Sequence, residues 1–380
     1  MAVLRTPHGD LALPAFFPDA TRGVVRGLDA ADLEACGVPG LVVNAFHLAG
    51  RPGSRCVHAL GGVHALMGWR RPVIADSGGF QIFSLIRQNP KLGTITNNEA
   101  IFRPAEGQKA QRLSPEKSIQ IQLRLGADIL VCLDDCTHPD APADEQAASV
   151  ARTIAWAERC RVEFERGLAV RRGPKRDASL SLSMTGRGGA IPVAECSPPS
   201  ARPLLFAVIQ GGADADLRRL CAAELVAMGF DGYGFGGWPF DTDGRLLTET
   251  LALTAELMPA DKPRYALGIG NPSALIACAR MGYGLFDCAL PTRDARRGRL
   301  YVFEGEDGLS YERVYIRDAG HRRDRGPVSD ACDCLCCRGY SRAYLHHLFA
   351  IGDSLAWRLA TIHNLRFYTA LLERLSRRAG

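Results

Sequence analysis

Val73-Ile74-Ala75-Asp76-Ser77-Gly78-Gly79 sets the pattern on which the fold is read: an apolar run, two of its residues β-branched, ends abruptly in an acid and a glycine pair. A short apolar run bounded by turn residues is the signature of a strand buried on both faces. Six further runs share the design. Residues 41–43 meet Asn44 with His47 just beyond, 129–133 meet Asp134-Asp135-Cys136, and Leu204–Ile209 meets Gln210-Gly211-Gly212. Gly232–Phe235 meets Gly236-Gly237, 265–267 meet Gly268-Ile269-Gly270, and 285–286 reach Asp287. An eighth strand, first in the chain, is placed within 13–28, before a helix opening at Asp29.

Helical patterns fill the intervals. Pro115–Leu125 follows Ser114, a residue suited to an N-cap, and others cover 144–166, 216–228, 244–258 and 271–281. Strand–helix repetition requires a parallel sheet. With polar tips at the carboxyl ends of successive strands, the predicted architecture is an α/β fold, a (β/α)8 TIM barrel with its site on that rim.

A chain of 380 residues accommodates such a barrel over 1–300 and a further segment over 301–380, ending in a closing helix. Residues 88–111, rich in Asn, Gly and charge, are expected to form either a lid over the rim or a plain surface loop. The Gly-, Pro-, Ser- and Arg-rich stretch 171–203 reads as a disordered linker. Hydrophobic content is 47% and charged content 23%, ordinary for a globular protein. With no apolar stretch of spanning length and no signal-peptide pattern, a cytoplasmic location is expected. The net charge of +5 is mild, but 41 of the 46 basic residues are arginine. That preference fits bidentate phosphate contact, and a codon bias toward Arg explains it equally well.

Thirteen cysteines include several scattered singly in apolar segments and one dense group, Cys332-Asp333-Cys334-Leu335-Cys336-Cys337. Cys332, Cys334 and Cys337 form a C-x-C-x-x-C turn fit to place three sulfurs round one ion, and downstream lie His346, His347 and His363. Thiolates with an imidazole suit a closed, structural Zn2+ site, and spacing leaves the choice of histidine open. On the rim, Asp76, Asp134 and Asp287 each end a strand. Singly each would be a capping or solvated acid; together they supply the nucleophile and proton-handling pair of retaining glycosyl chemistry.

These motifs, with Asn44-Ala45-Phe46-His47-Leu48, Phe230-Asp231-Gly232-Tyr233 and the 341–348 run beginning Ser341-Arg342-Ala343-Tyr344, make the chain resemble the tRNA-guanine transglycosylases from about Pro14 to His363, outside 171–203. The resemblance implies exchange of a tRNA guanine for a 7-deazaguanine base without backbone cleavage. Asp287 then corresponds to the nucleophile that attacks ribose C1′, and Asp76 to the general acid/base. Asp134 corresponds to the acceptor for the base's ring N–H and amine, with Gln210 and the Gly237 N–H on its carbonyl edge. Phe80 and Leu267 match the residues that sandwich the base. Arg293 and Arg296 match tRNA-contacting positions, and His363 completes the zinc set with Cys332, Cys334 and Cys337. A homodimer is implied as well.

The chain departs from the family pattern in two places. After Gly236-Gly237 it reads Trp238-Pro239-Phe240-Asp241-Thr242-Asp243, without the Glu that members carry near the incoming base, and Asp135 stands where Glu is usual. The incoming base is therefore open among queuine, its aminomethyl precursor and other 7-deazaguanines. With no extra C-terminal RNA-binding domains of the archaeal kind, exchange at the anticodon wobble position is expected. Two competing roles are a paralogue exchanging a base in DNA and a non-catalytic RNA-binding partner subunit, the latter disfavoured by the presence of both Asp76 and Asp287.

Overall fold

Alternate residues along the short strands face two different cores, and that division builds the molecule. Inward-facing Ala15, Phe17, Val42, Ile74, Ile129, Val131, Phe206, Val208, Tyr265 and Leu285 form one apolar cluster. Their neighbours, such as Val43, Ala75, Leu130 and Ile209, join a larger cluster with the helices outside. The strands are β1 (Ala15–Pro18), β2 (Leu41–Asn44), β3 (Val73–Asp76), β4 (Ile129–Val131), β5 (Leu204–Ile209), β6 (Gly232–Phe235), β7 (Arg264–Ala266) and β8 (Leu285–Cys288). The computed structural model describes residues 2–138, 140–172, 201–305 and 308–379. The 173–200 part of the expected linker lies outside the described residues.

All eight strands pair in parallel, β1 beside β8 and then in sequence down to β2. The ring closes between β1 and β2, where Asp19 bridges Val42 and the Ala20 N–H donates to the Val42 carbonyl at 2.7 Å. The expected (β/α)8 barrel is thus observed, nearly closed. Its interior is filled by pairing small with large residues across strands. Gly232 is one such site: a Cβ there would lie 2.5 Å from the Phe206 ring.

Three local features differ from the sequence expectation. First, β4 stops at Val131 rather than Leu133. The Gln122 amide takes both backbone groups of Val131, accepting from its N–H and donating to its carbonyl at 2.9 Å each. A side chain thus replaces the β3 ladder and parts the two strands just below Asp76 and Asp134. Second, residues 88–111 are not a structureless excursion. They form a 3-10 turn (Pro90–Leu92) and a small antiparallel sheet of Gly93–Ile95, Ala100–Phe102 and Gln111–Leu113. Three-residue strands are too short to show a period. Third, an N-terminal hairpin, Val3–Thr6 with Gly9–Ala12, precedes the barrel.

The helix Ser354–Ala379 lies against the barrel's start. Tyr368 packs on Phe16 with ring centroids 4.8 Å apart, Thr369 Oγ1 donates to the Cys36 carbonyl at 2.7 Å, and Arg358 grips Asp32 through two bonds. No helix among the described residues is long and apolar enough to cross a membrane.

Candidate active site and metal centre

Parallel strands deliver their terminal side chains to one rim, and the register fixes which meet. Asn44 lies opposite Asp76 in the β2–β3 pair, and its Nδ2 donates to Asp76 Oδ2 at 2.7 Å and to Gln81 Oε1 at 2.8 Å. Burial pushes the Asp76 carboxyl above its ordinary range, against the pull of Asn44 and the Ser77 and Gly78 N–H groups. Three residues beyond β4, Asp134 Oδ2 accepts from Gln210 Nε2 at 2.6 Å. Burial, together with the charges of Asp76 and Asp135, pushes Asp134 up to about 7.

Asp287 ends β8, and one of its oxygens is doubly held. Oδ1 accepts from the Tyr265 hydroxyl at 2.8 Å and from the Gly268 N–H at 2.9 Å. Burial, with a further push from Asp76 and Asp19, raises Asp287 to about 6 despite those donors. The charge of Asp76 adds to the push on both Asp134 and Asp287, so the three acids share one field. Acids so raised are poised to trade protons near neutrality.

The Gln210–Gly237 side of the pocket depends on close approach. A Cβ on Gly236 would lie 2.5 Å from Gln210 Nε2, so the backbone of β6 can pass that amide only as glycine. A Cβ on Gly237 would sit 3.6 Å from Gln210 Oε1, placing Gly237 beside the amide that bonds Asp134. Phe80 stands at the mouth, 45% exposed. Leu267 instead leans on the interior cluster as the chain leaves β7. Arg293 and Arg296 lie on the short helix Leu290–Arg296 that follows Asp287, Arg293 exposed and Arg296 partly buried.

Some supporting residues escaped the sequence reading. Arg218 is fully buried and ties the ends of β5 and β6, donating to the carbonyls of Gly212, Ile209 and Gly236. Burial pulls it down to about 10. Its signal was present: it occupies the first position of the apolar stripe completed by Cys221, Ala222 and Leu225. Tyr265 reads as a core residue in sequence, and only its hydroxyl's contact with Asp287 reveals its second role. Trp238 touches both Phe80 and His138 at ring-centroid distances of 5.8 and 5.6 Å.

The metal-ligating group lies apart, outside the barrel. Ligand atoms of Cys332, Cys334, Cys337 and His363 all fall within 4.8 Å of one another. His363 sits on the helix Ser354–Ala379, its Nδ1 3.2 Å from Cys337 Sγ and 3.7 Å from Cys334 Sγ. Its Nε2 lies 2.9 Å from the Tyr301 carbonyl, an arrangement in which Nε2 donates and Nδ1 is free to ligate. Three thiols and one imidazole so placed fit a closed tetrahedral metal site.

A second group, His8, His64 and Asp128, has similar spacing at the opposite end of the barrel. Here the imidazoles stack at 3.5 Å with planes 17° apart. Two nearly parallel rings cannot both aim in-plane lone pairs at one ion, so this group serves as a latch for the N-terminal hairpin.

The chain is similar to known proteins along most of its length. The pattern of the family described as "Queuine tRNA-ribosyltransferase" matches residues 1–378. Proteins named queuine tRNA-ribosyltransferase are similar along nearly all of the chain. One from Desulfosudis oleivorans is 40% identical over 375 residues, 97% of this chain and 85% of the relative. One from a Psychrobacter species is 38% identical over 367 residues, 96% and 86% of the two chains. Another, from Thermoanaerobacter pseudethanolicus, is 36% identical over 375 residues, 99% and 88%.

Proposed function

The chain belongs to the queuine tRNA-ribosyltransferase family, and from that premise we propose that it replaces a guanine of tRNA, at the anticodon wobble position, with a 7-deazaguanine base through a covalent ribosyl-aspartate. The observation that carries this reading is the two-donor grip on Asp287 Oδ1, which orients the carboxylate and leaves its second oxygen to approach the sugar.

In the first half-reaction a carboxylate oxygen of Asp287 attacks ribose C1′ and the bond from C1′ to the guanine nitrogen breaks. Asp76, whose burial favours the protonated form, donates its proton to the departing base. In the second, Asp76 as carboxylate takes the ring N–H proton of the incoming base, whose nitrogen attacks C1′ and expels Asp287. Two inversions leave the configuration unchanged. Asp134 and Gln210 address the base's hydrogen-bonding edge, with the Gly237 N–H on the carbonyl; Phe80 and Leu267 flank its faces. A guanine stacked in its loop is out of reach, so the nucleotide is splayed out, with Arg293 and Arg296 on the RNA backbone.

The ion held by Cys332, Cys334, Cys337 and His363 is zinc in this reading, with a structural role. It ties residues 332–337 to the helix Ser354–Ala379, and residues 301–380 form a unit appended to the 1–300 barrel. Metal analysis should find about one zinc per chain; folded protein without zinc would refute the assignment. For the reaction, tRNA and labelled guanine are incubated with enzyme and resolved on a denaturing gel. A denaturant-resistant RNA adduct that disappears in Asp287→Ala is the expected result. An Asp287→Ala enzyme that still exchanges guanine would overturn the nucleophile assignment.

A further inference from the structure

Phe80 and Trp238 are exposed large apolar side chains, at 45% and 41%, and unlike a scattered surface residue each touches the other. Apolar surface left open beside a polar pocket marks a place where something is bound. The contact spans the rim. Phe80 follows β3, His138 follows β4 and Trp238 follows β6, so the indole reaches from Gly237 across the strand ends that carry Asp134 and Gln210.

The segment after the indole is held by its own hydrogen bonds. The Leu247 N–H donates to the Pro239 carbonyl at 2.9 Å, and Phe240 bridges Leu246. Asp241 Oδ1 accepts from the Asp243 and Arg245 N–H groups at 2.9 and 2.8 Å, closing its own turn. Asp243 faces Arg245 at the tip, 69% exposed. Both acids are thus engaged by the hairpin itself, and the residue that meets the mouth is aromatic.

The orientation of the base follows from the proposed function, on which this inference rests. A 7-deazaguanine with its amine edge on Asp134 sets its 6-oxo group toward Gln210 and the Gly237 N–H. On the purine skeleton the 7-position lies next to the 6-oxo group, so a substituent there extends toward the residue after Gly237. We propose that Trp238 is the specificity-determining residue for that substituent, reading it with the indole surface. The ligand class is a 7-deazaguanine bearing a compact group recognised through aromatic contact, with no ion pair to the 238–246 segment.

The test compares two rates on one tRNA: exchange of labelled guanine, which has no 7-substituent, and incorporation of 7-aminomethyl- or 7-cyano-7-deazaguanine, read by mass spectrometry. Trp238→Leu should lower kcat/KM for the substituted bases at least about tenfold more than for guanine, and Trp238→Phe should recover most of the difference. Equal losses for both kinds of base, or none, would overturn the proposal. Phe80→Leu, which removes the ring bracing the indole, should move the ratio in the same direction and serves if Trp238→Leu does not fold; an unmoved ratio there overturns it equally. Asp243→Asn should change neither rate, and a selective loss of the aminomethyl base in that variant would restore a carboxylate as the reader. A wild-type enzyme that exchanges no guanine into tRNA would instead sink the parent reading.

Discussion

At the carboxyl end of the barrel Asp76, Asp134 and Asp287 are only partly buried and Asp76 pushes on the other two, whereas at the amino end Asp128, fully buried, is surrounded by donors. Its Oδ1 accepts from the His8 N–H at 2.9 Å and lies 2.7 Å from His8 Nδ1. Its Oδ2 accepts from the Val73 N–H at 2.8 Å and lies 3.0 Å from His64 Nε2. Burial pushes Asp128 up as it does the rim acids, but the two histidines outweigh it and hold the carboxyl below its ordinary range. Burial alone therefore does not decide what an acid becomes. At one end hydrogen-bond donors satisfy the carboxylate and join the hairpin to the barrel; at the other neighbouring acids oppose ionisation, and the proposed reaction draws on that opposition.

The largest effect expected from this contrast is on rate. Asp287→Ala should reduce guanine exchange by about 10⁴-fold or more, the scale seen when a nucleophile is removed, while its melting temperature does not fall. A melting temperature that drops with the rate would make Asp287 a structural acid like Asp128. Next comes Asp128→Asn, which leaves donors facing donors in a buried site. It should cost about 3–5 kcal/mol of stability, measured by denaturant titration, and a cost near zero would erase the distinction between the two ends.

The pH dependence sharpens the comparison further. Attack requires the Asp287 carboxylate, so kcat/KM should fall as pH drops below about 6, approaching tenfold per unit. A flat profile down to pH 5 would count against a raised Asp287. The smallest effect is on stability, and its sign differs between the ends. Asp134 is raised in the folded state, so the fold binds its proton more tightly than the unfolded chain does. Its ionisation therefore costs stability as pH rises from the unfolded value near ~4 to about 7. Asp134→Asn should raise stability at pH 8, by on the order of 1 kcal/mol, and make little difference at pH 4. Asp128 runs the other way: its contribution is present above the unfolded value and is lost as pH falls through the lowered folded one.

Much of the barrel was legible because each strand announced itself twice, by its apolar run and by its polar tip. Leu204–Ile209 and Gly232–Phe235 were placed to the residue, and so was the helix Pro115–Leu125 behind its Ser114 cap. The rim acids were legible for the same reason. What stayed hidden depends on long-range contact. The shortening of β4 comes from Gln122, whose amide is one more polar group on a helix until it is seen against Val131. Tyr265 and Arg218 follow the apolar pattern of their elements, and only tertiary packing reveals which polar atoms they serve. The latch at the amino end joins His8, His64 and Asp128, three residues spread over 120 positions with no shared motif.

The helix Ser354–Ala379 has a consequence for how the protein is made. The strand β1 pairs with β8, 270 positions later (Ala15 with Leu285), and its outer face is covered by Tyr368 of the helix Ser354–Ala379. During synthesis the opening segment must therefore wait for its β8 partner and for the cover of Tyr368 until those later residues have left the ribosome. Nascent chains arrested before about residue 354 should expose Phe16 and the 30–38 region to protease and to chaperones, and arrest after release of residue 379 should abolish that sensitivity.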